Sequence, residues 1–254
     1  MLTKFRAAGL VWPTLLSLPV LVLLVGLGNW QMSRKAWKDA LVQQIEAGLR
    51  GAPVALDETL RGWPCQTGKS CPFPEYARVR VRGRFEHDRE RYFYAPDPAL
   101  GPGVHVYTPL VLEDGRRVMV NRGFVPDQHR ATATRAAGQV LGALEIVGLL
   151  RGPGEKAMFT PENDPDRNLW FWRDLGGMSG CGAKARGPYC ASYVRAFVDA
   201  EAEPANPGGW PRGGTTNLQI SNRHLEYALT WYGLALALIG MYGVFAWGRL
   251  KSAD

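Results

Sequence analysis

The chain has 254 residues and a mass of 28.0 kDa, enough for one well-buried core with segments to spare. Its net charge of +7 comes without a basic low-complexity tail, which argues against nucleic acid and for anionic lipid or an acidic partner. A mean hydropathy of −0.17 is that of a soluble protein, but it averages over two apolar extremes.

The first extreme is Gly9–Leu27, which contains no charged residue. At about 1.5 Å per residue, some 20 residues cross a hydrocarbon core of about 30 Å. A cleaved signal has a shorter apolar run ending in a small-x-small site. Leu27-Gly28-Asn29-Trp30-Gln31 is a poor cleavage site, so an uncleaved anchor is expected. Pro13 and Pro19 are tolerated because a bilayer leaves the backbone no better option than a helix. Trp30, Arg34, Trp37, Leu41 and Ile45 then recur at helical spacing, which predicts an extension to about Leu49.

Strand patterns follow. Ala77, Val79 and Val81 alternate with Arg78, Arg80 and Arg82, giving a strand with one apolar and one basic face. Val104–Leu112 and Arg117–Val125 flank Glu113-Asp114-Gly115-Arg116, which reads as a hairpin. Arg89–Tyr94, Leu144–Arg151, Leu169–Asp174 and Tyr193–Asp199 are further strands. A Gly/Pro stretch from Pro204 to Gly214 leads to the second extreme, Tyr227–Trp247, again uncharged and edged by Trp and Tyr.

Lys4 and Arg6 precede the first span, and Arg249 and Lys251 follow the second, so the positive-inside tendency places both tails in the cytoplasm. Residues 1–8 and 248–254 are then cytoplasmic tails, 9–27 and 227–247 transmembrane helices, and 28–226 a periplasmic β-rich domain whose first part, 28–49, is helical. The expected class is an α+β membrane protein, with two terminal transmembrane helices flanking an antiparallel β-barrel or sandwich-like domain. Cys65 and Cys71, and Cys181 and Cys190, lie in two Pro/Gly-rich stretches without metal-site spacing. In an exported domain they are disulfide candidates, with three connectivities open.

Enzyme signatures are missing. Gly68-Lys69-Ser70 resembles the end of a phosphate loop, but Trp63 stands where that loop needs glycine. No nucleophile elbow, zinc-binding helix or calcium loop appears. The acids of Thr160-Pro161-Glu162-Asn163-Asp164-Pro165-Asp166-Arg167 fit a solvated loop better than a cation site. Of four histidines, His224 stands apart, at the edge of the second span. There an imidazole could ligate the iron of an amphipathic haem, with Arg223, Arg34 and Lys38 pairing with propionates. From position alone, an interfacial cap is the commoner role.

Three motifs carry a resemblance. Gly28-Asn29-Trp30-Gln31 with Arg34, Trp37 and Lys38 looks like the opening signature of the Surfeit locus protein one (Shy-one) family. Val120-Asn121-Arg122-Gly123-Phe124-Val125-Pro126 is similar to its internal motif, and Asn222–Ala235 to its closing one. The resemblance implies a cytochrome c oxidase assembly factor, not itself an oxidase and not an enzyme. It would bind haem a and assist its insertion into the catalytic subunit of an aa-type oxidase, with the haem a synthase as a second partner. His224 maps onto the family's proposed haem ligand; Trp30, Gln31, Arg34, Tyr227 and Trp231 match motif positions. The alternative is a haem-independent scaffold for the oxidase subunit. The Cys65–Cys71 and Gly176–Ala191 segments look like insertions in the family pattern, and Arg223 interrupts its usual run of Asn before the histidine. No Arg/Ser-rich presequence precedes the first span, which favours a bacterial over a mitochondrial setting.

Overall fold

The computed structural model describes residues 6, 8–61, 63, 73–182, 188–215 and 222–252. It separates into two units, one of 1–43 with 219–254 and one of 44–218. The Cys65–Cys71 pair and the phosphate-loop lookalike lie outside the described residues.

Helix α1, Val11–Arg50, runs without interruption through Pro19. The second unit follows with β1 (Val54–Ala55), α2 (Leu56–Thr59), β2 (Arg78–Phe85), β3 (Arg91–Tyr94), β4 (Gly103–Leu112) and β5 (Arg117–Pro126). It continues with β6 (Leu144–Arg151), β7 (Leu169–Trp170), α3 (Leu175–Met178), α4 (Pro188–Ala191) and β8 (Tyr193–Ala200). The sheet order is β1-β2-β6-β8-β5-β4-β3-β7, and a further β2–β4 pairing closes five of these strands into a ring.

The ring closes at one residue. β2 pairs with β6 over Arg78–Gly83 and with β4 over Gly83–Phe85, so Gly83 belongs to both ladders. A Cβ there would stand 2.2 Å from the Val111 carbonyl oxygen. Only glycine lets the strand turn this barrel corner.

The barrel is mixed rather than antiparallel, which corrects the sequence expectation. β5 pairs with β8 in parallel, as do β1 with β2 and β3 with β7. Alternation shows which residues face a core, not the direction of the neighbouring strand. Direction depends on the long connection between β5 and β8, which passes through β6 and brings the chain back the same way. The strand read over Leu169–Asp174 also ends early, at Trp170. Asn163 Oδ1 accepts the Phe171 and Trp172 amides, at 2.8 and 3.3 Å, and takes them out of the ladder.

The barrel interior is built by all five ring strands: Val79, Val81, Leu110, Val118, Val120, Leu150, Ala196 and Val198, with Leu56 from α2. The alternate residues Met119 and Phe197 join Tyr107, Trp170, Met178 and Tyr193 in a second core. Each such burial contributes about 1.5–3 kcal/mol. The second core gives the described residues of the Gly176–Ala191 segment a structural role. Met178 is itself buried in that core, Tyr189 packs against it, and the Cys181–Cys190 disulfide joins two points of the segment to each other.

The Asn121-Arg122-Gly123 motif lies inside β5, not at a strand-end turn. Asn121 Nδ2 donates to Asp199 Oδ1 at 3.1 Å. Arg122, 1% exposed, donates to the Gly138 carbonyl and to Glu90 Oε1 at 3.3 Å. Arg135 donates to the same Glu90 oxygen at 3.1 Å, as does Gln139. The network fastens the Asp127–Gln139 segment to the barrel.

Burial by itself would raise the Glu90 pKa. Its interactions with His87, Arg135 and Gln139 outweigh that and hold it at about 2. Burial, aided by the like charge of Arg135, pulls Arg122 down to about 10, so it stays protonated at neutral pH. A carboxyl held below its ordinary value stabilises the fold above about pH 4.5, and that contribution fades as the pH falls toward 2. Glu90→Gln is expected to cost about 3 kcal/mol or more at pH 7, because two arginines lose their buried counter-charge. Thermal melts should also show a smaller loss of stability between pH 5 and 2 in the variant than in the wild type.

Candidate functional site

The first unit pairs α1 with α5, His224–Lys251. The helices run in opposite directions, with Thr14 bonded to Tyr242 near one end and Gln31 to His224 toward the other. Both are long and apolar enough to cross a membrane. Small residues let them approach: Ala228 and Ala235 are buried, and a Cβ on Gly28 would stand 2.4 Å from the Tyr232 ring.

The site lies at the first turn of α5. His224 Nδ1 is 2.6 Å from Gln31 Oε1. An amide oxygen only accepts, so Nδ1 carries the hydrogen and donates it. In the neutral ring the lone pair is then on Nε2, which has no hydrogen-bond partner among the described residues. A metal-ligating histidine needs this arrangement, with one nitrogen held by a neighbour and the other open. Two neighbouring contacts brace the pair. Tyr232 donates to Asn29 Oδ1 at 2.7 Å, and Asn222 Nδ2 donates to Asp39 Oδ1 at 2.8 Å. Asp39 in turn pairs with Lys35 at 2.6 Å.

The other residues singled out in the sequence fall into different settings. Trp30 and Tyr227 are each 54% exposed, while Trp231 is half-buried on α5. The Arg34 guanidinium lies 4.8 Å from the centroid of the Trp37 ring. Arg223 is ion-paired with Glu226 at 2.8 Å, so its charge is already engaged. Lys38 is half-buried and also engaged. Among the described residues no cluster of three or more His, Cys, Asp or Glu side chains could hold a metal ion. The site offers one imidazole, not a cage.

Sequence reasoning did not single out Asn29, Asp39, Asn222 and Tyr232. Three of them stood inside the quoted motifs, but their pairing across almost two hundred residues leaves no trace in spacing. Farther along the same helix pair, Leu18, Leu21, Leu238 and Ile239 line an apolar groove of about 240 Å³.

The SURF1 family profile matches residues 18–236, a range that includes Gln31 and His224. A SURF1-like protein of Monosiga brevicollis is 37% identical over 248 residues, covering 93% of this chain and 87% of that protein. Surfeit locus protein 1 of Mus musculus is 37% identical over 228 residues, covering 84% and 68% of the two chains. Surfeit locus protein 1 of Homo sapiens is 35% identical over 229 residues, covering 84% and 70%.

Gly28→Val would force side-chain carbons into the Tyr232 ring. The expected result is loss of the Tyr232–Asn29 bond and a destabilisation of about 1–3 kcal/mol, read as a lower melting temperature in detergent.

Proposed function

We propose a function from one premise: this chain belongs to the SURF1 family. On our reading it is an assembly factor for an aa-type cytochrome c oxidase, a carrier and not a catalyst. Its cargo is haem a, bound at the membrane interface and passed to the catalytic subunit. The haem a synthase supplies it.

The observation that carries this reading is the His224–Gln31 pair. Haem carries an iron that a histidine nitrogen would hold, in a macrocycle whose faces avoid water. The residues present fit such a group. His224 Nε2 is the open nitrogen, and Gln31 fixes the ring that offers it. Trp30, next to Gln31, and Tyr227, one turn beyond His224, present exposed aromatic faces, and Arg34 supplies a cation for a propionate. One histidine suits a carrier, because a second protein ligand would slow release. The apolar groove farther along α1 and α5 adds hydrocarbon surface on the same helix pair.

We place the chain in a bacterial inner membrane, with α1 and α5 spanning it and the barrel outside. Two observations support this placement. Lys4 and Arg6 precede the first apolar stretch and Arg249 and Lys251 follow the second, which the positive-inside tendency assigns to the cytoplasm; Arg34, Lys35 and Lys38 lie on the other side, where a long translocated domain largely escapes the rule. The Cys181–Cys190 disulfide suits an oxidising compartment.

The test is the visible absorption spectrum of the detergent-purified protein, co-produced with a haem a synthesis pathway. A haem a spectrum is expected in the wild type and absent in His224→Ala. Gln31→Leu should keep the spectrum but bind about 10–100-fold more weakly, as when an outer-shell partner is lost. An unchanged spectrum in His224→Ala would overturn the ligand role. No haem in any variant, from folded protein, would favour the haem-independent scaffold.

A further inference from the structure

The loop from Gly152 to Asn168, between β6 and β7, ends in a tip that the haem reading does not use. Met158 and Phe159 are 88% and 93% exposed, the two most exposed large apolar side chains of the barrel unit apart from Leu141. They occupy the centre of a tight turn in which the Thr160 amide donates to the Ala157 carbonyl at 3.0 Å. The turn is braced from below. Lys156 pairs with Glu162, the Gly154 amide donates to the Arg173 carbonyl at 3.0 Å, and Asn163 Nδ2 reaches the Trp172 carbonyl at 3.3 Å. Pro153, Pro161 and Pro165 restrict the backbone on both sides. Two adjacent large apolar residues held in water on a braced turn resemble a pre-organised binding anchor more than a spare surface loop.

The surrounding charge indicates what the anchor fits. Although the chain carries +7 overall, Glu155, Glu162, Asp164 and Asp166 outnumber Lys156 and Arg167 along this loop. Glu162 and Asp164 have partners in Lys156 and Arg167, while Glu155 and Asp166 are exposed and make no ion pair among the described residues. A tip that enters an anionic bilayer carries cations beside its aromatics. This loop carries more carboxylates than cations. We infer that Met158 and Phe159 dock into an apolar pocket of a protein partner, a pocket rimmed by Lys and Arg that meet Glu155 and Asp166.

The test takes the catalytic subunit of the oxidase as the probe, and so rests on the partner named under the proposed function. The full chain is held in lipid nanodiscs and the purified subunit is titrated against it. Phe159→Ser should weaken association about tenfold or more, with the melting temperature unchanged because the ring packs on nothing. Glu155→Lys with Asp166→Lys should weaken it too, and should flatten its dependence on salt. A photoreactive phenylalanine analogue at position 159 should cross-link to the subunit. Cross-linking to nanodisc lipid in its place would overturn the proposal in favour of bilayer insertion. Equal binding by wild type and Phe159→Ser would overturn it while leaving the partner reading intact. No binding by the wild type would remove the partner and the docking site with it.

Discussion

A sheet becomes a barrel only where a strand can leave one neighbour for another, and in this chain β2 does so at Gly83. The carbonyl of Val111 occupies the place where any side chain would begin. Everything inside the barrel depends on that closure, because the interior residues come from all five ring strands. The same closure makes β5 and β8 central and covers their inner faces, while Tyr107, Trp170, Met178 and Tyr193 cover the outer ones. That is why Met119 and Phe197 are as buried as Val118, Val120 and Val198.

The second constraint is electrostatic. Two arginines and one glutamate lie almost fully inside the protein, which is tolerable only with dense hydrogen bonding. Arg122 has the Gly138 carbonyl and Glu90, and Arg135 has Glu90 with the carbonyls of His129 and Arg130. The arginine of the internal motif is thus a structural residue. It fastens an irregular segment to the barrel instead of meeting a ligand.

The helix pair is held together by a similar economy of contacts. Gly28 brings the helices close enough for Gln31 to reach His224, and Tyr232 and Asn29 complete the contact. The opening and closing motifs are therefore halves of one structure. Each supplies what the other lacks: one a hydrogen-bond acceptor, the other an imidazole with one nitrogen still open.

Much of this was legible in the sequence, because it rests on local pattern. The two apolar runs stand out by length, the arginine-valine alternation of β2 by its period of two, and the β4–β5 hairpin by its Glu113-Asp114-Gly115-Arg116 turn. His224 stood out by its place at the edge of the second run. What was not legible depends on residues far apart in the chain. Strand direction around the barrel follows from the path of long connections, so the parallel β5–β8 pair could not be read from alternation. The burial of Arg122 could not be foreseen either, since a charged residue inside an apolar strand gives no sign of the glutamate 32 positions away. At the site, the sequence by itself provided the histidine, but which of its nitrogens is open was decided by the tertiary structure, which brought Gln31 across 193 positions to hold the other one.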